Sequence, residues 1–282
     1  MRRPQSRPYH CGYERSLRPC IAPPSAPRQR VLASEPVLTI HPSARGFAQA
    51  AEVYERARPD YPDAAVDWIV EALELAPGAH VVDVGAGTGK FARQLAARGV
   101  SITGVEPIAE MRALFERAVP GAEAVDGTAE SMPLDDEVAD GITVAQAFHW
   151  FDAERTPREF HRVLRPGAGV ALIWNMRDET KPLQQAYDET LRPYKGEDYP
   201  ERGRQAQPLA DSPLFGEVEE REFAHSQAMD ADGLVARTES VSFVAQLPAE
   251  ERAALVERVR ALAPAGIFEF PYVTKVFTCR RR

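Results

Sequence analysis

The run VVDVGAGTGKF at residues 81–91 sets three glycines, Gly85, Gly87 and Gly89, two apart between an apolar stretch and a helical one. Gly85 and Gly87 let the backbone turn sharply and approach a ligand with no Cβ in the way. Gly89 opens a helix whose first unpaired N–H groups face the same point. A nucleotide-type ligand at the carboxyl end of the first strand suits that geometry. A dinucleotide fingerprint needs a third glycine at position 90, which is Lys90, and a P-loop needs Ser or Thr after the lysine, where Phe91 stands. Both phosphate readings weaken. Glu106, in ITGVEP, is the second chemical element. A carboxylate at a strand end accepts hydrogen bonds from a ribose hydroxyl pair, and charge-assisted bonds of that kind are the strong ones. It supports an adenosine ligand without choosing between cofactors, and its competing reading is a solvated acid.

Two further motifs face the other partner of a reaction. His149, in FHWF, has an imidazole that titrates near neutrality and is the candidate general base. The competing reading is a packed ring satisfied by a backbone group. Tyr54 and Arg58 lie in FAQAAEVYERARPDYP, either a segment folded over the ligand or an amphipathic surface helix. Three cysteines, Cys11, Cys20 and Cys279, are too few and too scattered for a disulfide framework or a zinc site. They read as free thiols of a cytoplasmic protein in a reducing compartment.

These residues need a scaffold of alternating strands and helices, which the sequence supplies. Helical spacing covers 63–75 and ends at Pro77-Gly78; strands are expected at 80–84, 100–105, 122–125, 141–147 and 169–174. Helices fall between them at 90–98, 108–117 and 154–164, and Arg165-Pro166-Gly167 reads as a turn. The alternation predicts a mostly parallel sheet covered on both faces. Residues 178–210 are polar and rich in proline, and read as a cap insertion of short helices over the end of the sheet. A strand at 218–224, a helix after Pro248 and an alternating final strand at 272–278 complete the pattern.

Residues 1–42 differ in kind. They are crowded with Arg and Pro and nearly free of acids, which suits a disordered tail or sequence upstream of the true start. An organelle address is also Arg-rich, but the prolines spoil the amphipathic helix it requires. The body, 43–282, is then one domain. No apolar run of membrane-spanning length occurs. The formal charge of -8 gives no bulk attraction for nucleic acid or anionic lipid and mildly favours a cationic ligand.

In order, DVGAGTGKF, VEP, AEAVDGTAESMPL, ADGITVAQAFHWFD and FHRVLRPGAGVALIWN resemble the class I S-adenosyl-L-methionine (SAM)-dependent methyltransferases of the small-molecule type, the methyltransferase type 11 family. The resemblance runs from about Ala44 to the C-terminus. It implies a Rossmann-like, doubly wound seven-stranded α/β sheet with an antiparallel last strand, a helical cap, and SAM across the carboxyl ends of strands one to four. It places Asp83, Gly85, Gly87 and Gly89 against the methionine portion and Glu106 on the ribose. Thr128, Ala129 and Glu130 would border the adenine, with Gln146 and Ala147 as the floor near the methyl. Many relatives carry an aspartate at the position of Thr128, so Glu130 or a backbone carbonyl takes the adenine amino group here. Tyr54 and Arg58 would close over the cofactor. The implied acceptor is a small molecule and not a base: no N/D-P-P-Y motif follows the fourth strand, and the only Pro-Cys is Pro19-Cys20. An NAD-dependent oxidoreductase and a non-catalytic SAM-binding module are the alternatives.

Overall fold

The apolar run Val81-Val82-Asp83-Val84 is buried on both sides, which is the mark of a central parallel strand. In the computed structural model, which describes residues 57–195 and 205–282, it lies in β1 (His80–Val84) near the middle of a seven-stranded sheet. The sheet order is β3-β2-β1-β4-β5-β7-β6. Its other strands are β2 (Ser101–Val105), β3 (Glu123–Val125), β4 (Ala139–Ala145), β5 (Leu164–Arg177), β6 (Glu219–Met229) and β7 (Phe268–Arg280). β1 pairs in parallel with β2 and β4, β2 with β3, and β4 with β5. The last strand, β7, is antiparallel to both β5 and β6, as the family resemblance implies. The chain winds from β1 outward through β2 and β3, then returns to β4 on the other side. The switch point therefore opens between the carboxyl ends of β1 and β4, where open α/β sheets bind ligands.

Successive strand side chains point to opposite faces. Val82 and Val84 join a core with Phe160 and Val163 of α4 (Arg155–Val163). Val81 joins the opposite core with Trp68 and Ile69 of α1 (Asp63–Ala72), Leu95 of α2 (Lys90–Ala96) and Phe115 of α3 (Ala109–Ala118). A third cluster lies beyond the ordinary sheet. Tyr187 and Leu191 of α5 (Pro182–Leu191), Leu234 of α7 (Ala231–Glu239), Val244 of α8 (Ser242–Ala245), and Leu255 and Val259 of α9 (Ala249–Arg260) pack on Phe270 and Tyr272 of β7. Within 178–210 the described residues form α5, a 3-10 turn at Arg192–Tyr194 and the short α6 (Gln207–Ala210). The helical cap is thus assembled from both sides of β6.

Three details differ from the sequence reading. The Arg165-Pro166-Gly167 segment is no separate turn but the start of β5, whose register with β4 shifts between Ala139 and Gly141. Proline lacks a donor and is tolerated at such an irregularity. β6 runs on to Met229 because the alternating FAHSQAM keeps pairing with β7. α7 was missed altogether, although Asp230 caps it by accepting from the Gly233 N–H at 2.8 Å. The helix expected after Pro248 is α9, with Pro248 as its N-cap. Cys279 is a buried free thiol, pushed up to about 12 by burial; Cys11, Cys20 and the tail 1–42 lie outside the described residues. No helix among the described residues is long and apolar enough to cross a membrane.

The glycine loop is shaped by packing from below. Phe115 is fully buried, and a Cβ added at Gly104 would lie 2.9 Å from two of its ring carbons and 3.2 Å from the Ala86 Cβ. Gly104→Ala is therefore expected to cost about 1–3 kcal/mol through overpacking, read as a lower urea midpoint with unchanged slope. Adding Phe115→Leu should recover part of the loss. Strict additivity of the two changes would count against this packing account.

Candidate functional site

The bend after β1 is made by residues that need positive φ. Gly85 has φ +66° and Gly87 φ +56°, values that L side chains rarely adopt. At Gly85 a Cβ would also press to 2.8 Å from the Ala147 Cβ and 3.1 Å from the Phe151 ring, so the bend sits against the segment after β4. At Gly87 an added Cβ would meet nothing within 4 Å, so that side of the loop is open. Gly89, also at positive φ, is the N-cap of α2. The Gly85 and Ala86 N–H groups both donate to the Val105 carbonyl, at 2.8 and 3.2 Å, which ties the bend to the end of β2.

Glu106 completes that tie. It is 6% exposed; its Oε2 accepts from the Gly87 N–H and its Oε1 from the Ile108 N–H, each at 3.0 Å. The carboxylate turns toward the loop, and the solvated-acid reading fails. Burial pushes its pKa above the ordinary glutamate value, while the two N–H donors and Arg112 act the other way. Asp83 lies one strand over, fully enclosed. The Thr143 hydroxyl donates to its Oδ1 at 2.7 Å, and its Oδ2 is buried with no hydrogen-bond partner among the described residues. Burial raises its pKa to about 7, against the Thr143 bond and with help from the Glu106 charge.

Thr128 and Ser131 exchange backbone hydrogen bonds at 3.2 Å, making a tight turn that buries Ala129. The Thr128 hydroxyl is buried with no hydrogen-bond partner among the described residues, and the Glu130 carboxylate accepts from the Asp152 N–H at 2.9 Å. Gln146, just past β4, has φ +61°, a strained value for a non-glycine residue, and its N–H donates to the Ile173 carbonyl at 3.0 Å. Strain of this kind gathers at ligand sites. Asp83, Gly85, Gly87, Glu106 and the segment at Gln146 and Ala147 are thereby gathered round the switch point. His149 is not enclosed: it is exposed on a 3-10 turn, its ring 4.4 Å from that of Trp150.

Arg58 is committed elsewhere than expected. Its Nε and NH2 donate to the Ser240 hydroxyl and carbonyl, both at 3.0 Å, at the end of α7. Tyr54 lies outside the described residues. Residues 57–61 form a strap that ties α2 to the end of β5. The Asp60 carboxylate pairs with Lys90 at 3.1 Å and Arg93 at 2.6 Å on α2, while its carbonyl accepts from Asn175 at the end of β5 at 3.1 Å. Lys90, which stands where a dinucleotide fingerprint needs glycine, therefore serves as an anchor for the strap. Thr143, Asp60 and Asn175 escaped the sequence reading, since their roles depend on which strands become neighbours. No cluster of His, Cys, Asp or Glu able to hold a metal occurs among the described residues.

What this arrangement can do is hold a ligand rich in hydrogen-bond donors and positive charge, with Asp83 and Glu106 side by side. Comparison with known proteins gives the family. The family described as methyltransferase domain matches residues 82–172. An uncharacterized methyltransferase of Mycobacterium tuberculosis is 36% identical over 239 residues, covering 81% of this chain and 92% of that protein. Among solved structures, one named as a type II methyltransferase of Anaeromyxobacter dehalogenans has a TM-score of 0.57 at 24% identity, over 79% of this chain and 96% of its own. A phosphoethanolamine N-methyltransferase of Haemonchus contortus, held with S-adenosylhomocysteine, reaches 0.51 at 17% identity, over 83% of this chain and 57% of its own.

The raised Asp83 pKa carries a stability signature. The folded form keeps its proton up to about 7, whereas the unfolded carboxyl loses it near 3.8. Unfolding free energy therefore falls by at most about 1.4 kcal/mol per pH unit across that window and levels off above it. Asp83→Asn removes this contribution. Urea unfolding of both proteins at several pH values should show the variant gaining on the wild type as pH rises toward neutrality; parallel curves would refute the buried, protonated carboxyl.

Proposed function

Because the chain belongs to the SAM-dependent methyltransferase family and is a methyltransferase, we propose that its methyl acceptor is a small molecule and that the residues round the switch point hold the cofactor. In this reading Asp83 and the loop Gly85, Gly87 and Gly89 take the methionine portion, and Glu106 the ribose. Thr128, Ala129 and Glu130 border the adenine, and Gln146 floors the site next to the methyl. The observation that carries it is the unmet, buried Asp83 Oδ2 beside a Glu106 carboxylate already turned to the Gly87 N–H. Both suit a ligand that brings donors and positive charge.

When bound, the cofactor supplies a methyl already activated on a sulfonium. The protein's share is then position and exclusion of water. The Gly85–Ala147 contact fixes the loop against the floor, and the strained Gln146 backbone holds its own place. The strap closes over α2 and β5 through Asp60. Arg58 contributes through its grip on Ser240, and Tyr54 precedes it on the same segment. His149 stays the candidate base for an acceptor that must lose a proton, reached from the exposed side of the site.

Calorimetry with SAM and with NAD tests the cofactor assignment directly: SAM should bind and NAD should not. Glu106→Ala should weaken SAM by about 1.5–3 kcal/mol, the cost of losing hydrogen bonds to a charged group. An unchanged affinity would remove Glu106 from the site. The ionised Asp83 is the form that suits a cationic ligand, so SAM affinity should drop as pH falls below about 7, and Asp83→Asn should flatten the dependence. A pH profile identical in the two proteins would remove Asp83.

A further inference from the structure

Every polar atom of Glu106 has a protein partner, and one of those partners is a side chain with no place yet in the site. The Glu106 N–H donates to the Val125 carbonyl at 3.1 Å, and its two carboxylate oxygens accept from the Gly87 and Ile108 N–H groups. Its carbonyl oxygen accepts from Nη1 of Arg112 at 2.7 Å. Arg112 stands on α3, which begins straight after Ile108, so its side chain reaches back over the first turn to the end of β2. The same nitrogen lies 3.4 Å from the Asp126 carboxylate, just past β3. One guanidinium thereby clips the end of β2 to the end of β3, beside the glycine loop.

Burial gives the clip a reason to be a cation. Enclosure penalises the charged form of Glu106. Of the charged groups near it, Asp83 on β1 and Asp126 after β3 share its sign, and Lys90 on α2 is turned to Asp60. Among the described residues Arg112 is the cation that acts the other way. Its side chain is 19% exposed and that of Asp126 73%, so water screens the competing acid more than the guanidinium. Each Glu106 carboxylate oxygen has room for two hydrogen bonds and receives one from the backbone, which leaves two places for a ligand. That holds only while the group is ionised. A proton would fill one of those places and turn an acceptor into a donor.

We propose that Arg112 is a positioning residue for the cofactor: it fixes the Glu106 backbone and sets a positive charge beside a buried carboxylate that must accept from both ribose hydroxyls. The inference rests on the assignment of Glu106 to the ribose, and adds the residue through which that contact is kept in working form. Arg112 acts through Glu106 alone. Its effect is therefore confined to the sugar, whereas Asp83 and the glycine loop act on other parts of the ligand.

Calorimetry of the full chain with S-adenosylhomocysteine and its 2′-deoxy and 3′-deoxy analogues tests it. The quantity read is the ratio of affinities, hydroxyl over deoxy, between about pH 6 and 9. Titration of Asp83 weakens all three ligands alike and cancels in that ratio. The wild type should favour the hydroxyls at least about tenfold at neutral pH, as expected for bonds to a charged acceptor. Arg112→Met should bring the ratio below about threefold there and regain it as pH rises, because Glu106 then ionises without help. Arg112→Lys keeps a charge and should keep the ratio. Arg112→Gln, which retains a donor but no charge, is the second variant should the first fold poorly, and should behave as the methionine does. A wild-type ratio in both uncharged variants at every pH would overturn the proposal. So would a ratio lost equally at every pH and in the lysine variant too, since that would leave Arg112 a scaffold role only. A wild type indifferent to the ribose hydroxyls would instead strike the Glu106 assignment on which the proposal rests.

Discussion

The hydrogen bond from the Gly87 N–H to the Glu106 carboxylate holds the site in register. Parallel strands share no tight turn, so nothing covalent fixes the end of β2 against the loop leaving β1. A buried carboxylate is costly unless hydrogen-bonded, and the loop amide and the Ile108 N–H supply what it needs. Each partner stabilises the other. The same economy appears at Asp83, where Thr143 on β4 satisfies one oxygen and leaves the second for a ligand. The two carboxylates lie on adjacent strands and repel, part of the reason the Asp83 pKa rises. A cationic ligand relieves that repulsion, so the ligand-free site stores a preference for positive charge.

The strap adds a second constraint. Asp60 joins α2 to β5, Arg58 joins the strap to α7, and the Ala57 carbonyl accepts from Gln227 on β6 at 3.4 Å. Movement of one stretch of backbone is thereby felt by the helix that follows the glycine loop and by the helical cap. Tyr61 strengthens the first connection, exchanging hydrogen bonds with Gln94 at 3.0 and 2.8 Å and packing edge-on against Phe91.

How much could be read in advance follows from how local each signal is. β1, the glycine loop and Glu106 announce themselves within a few residues, because strand propensity, glycine spacing and a strand-end acid are local properties. Parallel order and the antiparallel last strand followed from alternation together with the family resemblance. Thr143 could not be picked out, since its value lies in standing beside Asp83 once β1 and β4 pair. β6 hid its length for a related reason: one face is polar, so FAHSQAM looks like a loop until β7 supplies the pairing. α7 hid behind Gly233, which weakens a helical reading even though Asp230 caps the turn. Arg58 shows the limit of carrying a role over from a resemblance, because its partner Ser240 is 182 residues away and belongs to a part of the chain with no motif.

Charge marks the switch point. The chain is acidic as a whole, and that sign is buried there in Asp83 and Glu106. Methyl transfer converts a sulfonium into a neutral thioether, so the charge that the carboxylates attract disappears when the reaction is done. In the proposed reading, attraction to these carboxylates is stronger for the donor than for its product, an asymmetry that favours exchange of spent cofactor after each transfer.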